Sequence, residues 1–250
     1  MATLRSADAY SKVVNPLRAV LASAVLAMAA AVSAQFVWPK PQYNQPVPGT
    51  YVEDPFIVKY RADFFRVFRG DVASFERAFA EIEGMVRRYP DDPRARVWLG
   101  NGQTVKAVLA MLRDRDRERA QSLLRLSWEN MDRAVARSPR DPNIRMMRAA
   151  TLYVQGQYLP DDMVPRRVWE QLRDDCLWFI GYIGPERMHK VSIHVRGETF
   201  GELGIAYLRL GRPLLARGAF QRVIALNPGT AYEERARREI DRLDQARGRS

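Results

Sequence analysis

From Asp54 to Leu243 apolar residues recur at three- and four-residue spacings with charged residues between them, and almost no stretch alternates with the two-residue period of a strand. The spacing predicts helices over roughly 55–69, 72–89, 94–112, 117–137, 142–157, 163–182, 190–210, 212–226 and 230–247. Chain breakers fall between them: Gly70 with Asp71, Pro90 to Pro93, Pro139 to Pro142, Gly184 with Pro185, Gly211, and Pro228 with Gly229. Asp54 reads as an N-cap with Pro55 in the first turn, where its missing N–H costs nothing. Short connections between consecutive helices make hairpins, so the fold class expected is all-α.

The first 53 residues are different. Arg5, Lys12 and Arg18 precede an apolar run from Ala19 to Val32, which ends in Val32-Ser33-Ala34. That run is too short for a membrane span and suits a signal peptide, with cleavage expected after Ala34. The alternative is a helix over 19–34 that stays uncleaved and anchors the protein in the inner membrane. Residues 35–53 form a proline-rich arm, since Pro39, Pro41, Pro46 and Pro48 hold their predecessors extended. Residues 54–247 are the helical body.

The most specific signal lies at 200–228. Phe200, Leu203 and Tyr207 share one helical face, Gly204 and Ala216 are small enough for two helices to approach closely, Gly211 makes the turn, Phe220 continues the second helix and Pro228 ends it. This arrangement resembles the tetratricopeptide (TPR) repeat, with its aromatic, Leu-Gly and Tyr on a first helix, Ala and an aromatic on a second, and Pro after it. Looser copies run towards the N-terminus. Trp98, Leu99 and Gly100 open one with Met131 to Ala134 on its return; Ile144, Met147, Ala150 and Tyr153 face inward in the next; Ala78, Ile82 and Pro90 mark the first. Helix-ending prolines at 90, 139, 185 and 228 are more widely spaced than the standard repeat of about 34 residues, so the hairpins are enlarged, near 113–119 and 159–165. The body is also similar to uncharacterised exported bacterial TPR-like proteins that carry a segment like Ser192 to Glu198 before the final repeat. The resemblance implies a right-handed superhelix of about four stacked hairpins. A polar C-terminal capping helix closes it, with Tyr232, Ala236, Ile240 and Leu243 inward.

Charge and chemistry change this picture little. The 250-residue chain carries 40 Lys and Arg against 29 Asp and Glu, and only 5 of the bases are Lys. Without residues 1–34 the balance is 37 to 28, or +9. An exported protein seldom meets nucleic acid and the chain has no nucleic-acid module, so the excess, spread over Arg137, Arg140, Arg145, Arg148, Arg166, Arg167 and Arg173, points to an acidic protein or another anionic partner. Arg113 to Arg119 alternates sign and reads as an exposed connection. One cysteine, Cys176, and two histidines five residues apart, His189 and His194, give no metal or haem motif and no nucleophile–base pair, so no cofactor, metal or enzymatic activity is expected. Cys176 reads as a core residue, and Asp174-Asp175 and Asp161-Asp162 as solvated surface. The sharpest polar cluster is His194 with Arg196 and Glu198.

The function implied is an exported scaffold of the bacterial cell envelope, periplasmic or secreted, holding a peptide or partner helix in a concave groove. The positions facing that groove in a TPR first helix correspond to Glu198, Gly201, Ile205 and Arg209. A periplasmic helical module for a small ligand is the alternative, or a membrane-tethered assembly factor if the leader stays in place.

Overall fold

The computed structural model describes residues 51–247, and over these it is helical without strands. The signal segment and most of the arm lie outside the described residues. Among the described residues nine α-helices follow one another: α1 (Pro55–Arg66), α2 (Val72–Arg88), α3 (Pro93–Leu109), α4 (Arg117–Arg137), α5 (Pro142–Tyr158), α6 (Arg166–Ile183), α7 (Ile193–Arg209), α8 (Pro213–Leu226) and α9 (Ala231–Arg247). Most begin and end within one or two residues of the periodic segments. Four ends differ by three residues: α1 and α3 stop early where the chain continues as the 3-10 turn Val67–Arg69 and the π-helical turn Ala110–Asp114, and α6 and α7 start late. Pro165 cannot donate within a helix and α6 starts after it, while Pro185–Lys190 coils into a 3-10 turn so that α7 waits for its own cap at Ser192.

Capping explains the sharp starts. Three helices open on Asp-Pro, and in each the aspartate accepts hydrogen bonds from the first-turn N–H groups: Asp54 from Phe56 at 2.9 Å, Asp92 from Arg94 at 2.9 Å, and Asp141 from Asn143 at 2.8 Å. Asp71 and Asp116 cap α2 and α4 in the same way, accepting from Ser74 and Arg119. Gly211 closes α7 with φ of 72°, which lets the Arg212 N–H reach back to the Tyr207 carbonyl at 2.8 Å. The enlarged α3–α4 connection is a π-helical turn, Ala110–Asp114, followed by Arg115 at φ 55°.

Each helix packs on the next in sequence, and α1, α3, α5, α7 and α9 also pack on one another in that order. Small residues set the spacing. A Cβ placed on Gly204 would stand 2.4 Å from the Phe220 ring, on Gly100 2.6 Å from Met131 Cγ, and on Gly102 2.1 Å from Phe79. The pairings expected of Gly204 with α8 and of Gly100 with the Met131 turn are therefore in contact. A Cβ placed on Gly156 would likewise stand 1.8 Å from the Trp169 ring, where α5 meets α6, and one on Gly197 2.6 Å from the Tyr232 ring, where α7 meets α9; neither approach was legible in the repeat pattern. Phe200, Leu203, Ala216 and Phe220 are buried, Tyr207 is half-buried, and Pro228 is exposed just beyond α8.

Buried charge departs from the sequence reading. Asp175 is not solvated surface: it is wholly buried and accepts from Arg145 Nη1 at 2.8 Å and from Arg148 Nε at 2.6 Å, while Arg148 Nη1 donates to Asp132 at 2.8 Å. Successive helical residues point about 100° apart, so Asp174 faces out while Asp175 faces α5. Arg145 and Arg148 therefore leave the pool of guanidinium groups available to a partner. Arg166 and Arg173 are paired with Glu170 and Asp174, and Arg167 lies over Trp128.

Candidate functional site

The helix carrying the predicted contact residues is α7, started by Ser192 Oγ accepting from the Val195 N–H at 3.3 Å. Glu198, Gly201, Ile205 and Arg209 recur at three and four residues and share one stripe of it, about 16 Å long at the helical rise of 1.5 Å per residue. Its neighbours on either side are α5 and α9. The stripe divides into three environments.

At the N-terminal end Glu198 meets His194, one turn earlier on the same helix. His194 Nε2 stands 3.3 Å from Glu198 Oε2, and Nδ1 stands 2.6 Å from the Tyr232 hydroxyl of α9. A neutral imidazole satisfies both if Tyr232 donates to Nδ1 and Nε2–H donates to the carboxylate. Arg196 takes no part. Two residues from His194 it points to the other side of α7, where it donates to Asn227 Oδ1 at 3.1 Å and to the His189 carbonyl at 2.7 Å. The cluster expected of His194, Arg196 and Glu198 is thus His194, Glu198 and Tyr232. Desolvation raises the Glu198 carboxyl above its ordinary range, opposed by His194 and Arg61.

One turn on, Glu202 is buried with Oε2 lacking a hydrogen-bond partner. Burial first, and the Glu198 charge second, push its carboxyl well above the ordinary range. Cys176 is buried beside these carboxyls, and burial together with Glu202, Asp175 and Glu198 pushes its thiol up. It is a core residue with no thiolate to offer. The described end of the arm completes this corner. The Tyr51 ring meets Phe179 edge-on at 5.2 Å, the Val52 carbonyl accepts from Asn143 Nδ2 at 3.2 Å, and Glu53 pairs with Arg61 at 2.5 Å.

In the middle of the stripe Gly201 is open: a Cβ built there meets nothing within 4 Å. At the C-terminal end Ile205 and Arg209 enter a cavity of about 250 Å³ shared by α5, α7 and α9, with Tyr153, Leu208 and Arg235 among its walls. Arg209 stacks over Trp169 at 5.3 Å and donates to both carboxylate oxygens of Asp161 at 2.7 Å. The structure therefore brings Ile205 and Arg209 together and leaves Glu198 at the far end. Tyr153, Arg235 and Tyr232 were not among the predicted contacts; the inward periodicity of Tyr153 and Tyr232 was the available signal.

Among the described residues no group of three or more His, Cys, Asp or Glu is arranged to hold a metal ion, and no helix is long and apolar enough to cross a membrane. No protein-family model, curated protein or solved structure matches the chain.

Proposed function

We propose that the protein is an exported TPR-like scaffold of the cell envelope that holds an acidic, extended segment of a partner along α7 and the helices beside it. In this reading the hairpins stack as a right-handed superhelix of about four units with α9 as the capping helix. The alternation in packing supports it, because contacts running α1, α3, α5, α7, α9 give the first helices of successive hairpins one common layer. The observation that carries the reading is the α7 stripe. It runs from Glu198 past open space at Gly201 to the cavity at Ile205 and Arg209, and so offers a partner a polar end, a notch and a pocket in series.

A binding role suits these groups better than catalysis. Both ring nitrogens of His194 are engaged and the Cys176 thiol is buried. Replacing Glu198 and Arg209 together and recovering envelope partners by affinity capture tests the assignment. The variant is expected to lose the partners that the unmodified protein retains, and unchanged recovery would sink it. A small-ligand module is the second reading, favoured by the cavity alone.

A further inference from the structure

The cavity at the C-terminal end of the stripe is a mixed pocket in which most charges have already been matched. Arg209 is committed to Asp161 and Trp169. Arg242 Nη1 donates to Glu239 Oε1 at 2.7 Å. Arg235 is different: its guanidinium lies over the Tyr153 ring at 5.2 Å, and among the described residues no hydrogen bond or ion pair involves it. Arg235 is exposed at the rim of the pocket, so its guanidinium is open to a ligand from solvent.

The charges close to a small residue. Three guanidinium groups, Arg209, Arg235 and Arg242, face two carboxylates, Asp161 and Glu239, which leaves +1 at the pocket. One positive charge with an unused planar fork suits a single carboxylate, which a guanidinium binds through two parallel hydrogen bonds. A dianion would meet Glu239 on the same wall. Ile205, Leu208 and the Tyr153 face supply apolar surface beside the fork, and about 250 Å³ is small for a drug-sized ligand but enough for one short apolar body.

We propose that this cavity is a binding site for a monocarboxylate carried on a short apolar or aromatic body, with Arg235 receiving the carboxylate over Tyr153. The acid is either a free small molecule or the side chain of a glutamate in the segment laid along α7. The second source rests on the scaffold reading above, and the first does not.

Titration of the full chain with phenylacetate, phenylacetamide and N-acetyl-glutamate amide, followed by calorimetry and by shifts of the Tyr153 ring signals, tests it. Phenylacetate or the glutamate amide is expected to bind and the neutral phenylacetamide is not. Arg235→Gln is expected to weaken binding about tenfold or more, the scale of one charge-assisted pair. Arg238→Gln, one turn away and paired with Glu234, is expected to leave it within about twofold, as a change outside the pocket. Binding of the glutamate amide alone assigns the peptide source, and binding of phenylacetate assigns the free acid. The proposal is overturned if no carboxylate binds at millimolar concentration, if phenylacetamide binds equally, or if Arg238→Gln costs as much as Arg235→Gln. Loss of partner capture in the Glu198 and Arg209 variant with no carboxylate binding would overturn the pocket and leave the scaffold standing.

Discussion

Gly201 and Gly204 sit three residues apart in α7, and the packing gives their alanine variants opposite signs. In a helix interior alanine is favoured over glycine by about 1 kcal/mol, because glycine loses more backbone freedom on folding. At Gly201 nothing opposes that gain, since a Cβ meets no atom within 4 Å. Gly201→Ala is therefore expected to stabilise by about 1 kcal/mol, a rise in Tm of about 2–4 °C for a domain of this size. At Gly204 the new methyl would stand 2.4, 2.7 and 2.8 Å from three atoms of the Phe220 ring. Phe220 is only 2% exposed and has no space to withdraw into, so overpacking of about 1–3 kcal/mol cancels or exceeds the propensity gain. Gly204→Ala is expected to be neutral to about 2 kcal/mol destabilising. Urea unfolding followed by far-UV circular dichroism measures both, and a double-mutant cycle with Phe220→Leu isolates the contact, with a favourable coupling of about 1 kcal/mol expected. Equal stabilisation by the two alanines, or additivity in the cycle, would refute the close approach of α7 to α8. The same Gly201→Ala protein tests the scaffold, because its methyl enters the stripe: partner recovery is expected to fall while stability rises.

Three further expectations follow from the buried charges and the leader. Asp175→Ala removes the buried carboxylate shared by Arg145 and Arg148, leaving Arg148 only Asp132, and is expected to cost about 3 kcal/mol in urea unfolding, far more than the loss of the exposed neighbour in Asp174→Ala. The raised Glu202 carboxyl makes the unfolded chain give up its proton first, so the folded state binds more protons above the ordinary glutamate range and stability falls as pH rises through that range; Glu202→Gln is expected to flatten that decline of Tm. Mass spectrometry of the protein recovered from its producing cell is expected to show an N-terminus at Gln35, and an intact Met1 would remove the case for export.

The helices were legible because their ends are written in local chemistry. Asp54-Pro55, Asp92-Pro93 and Asp141-Pro142 each place an acceptor and a preset φ at a first turn, and no tertiary contact is needed to recognise them. The α7–α8 pairing was legible for a related reason, since Gly204, Ala216 and Phe220 leave one way for two helices to approach. Charged positions were less so. Periodicity sorts residues into faces, but a helix buried on several sides has no solvent face to assign, and there an aspartate beside an aspartate divides between core and water according to the partner opposite. Asp175 goes inward because Arg145 and Arg148 come from α5 to meet it, a coincidence of two helices thirty residues apart. Arg235 is the converse case: the pattern on α9 leaves it unassigned, and among the described residues it has no ion pair, while Asp161 and Glu239 pair with Arg209 and Arg242. The same accounting bears on the proposed pocket: Arg209 and Arg242 already have carboxylate partners there, so a ligand carboxylate is expected to be read by Arg235.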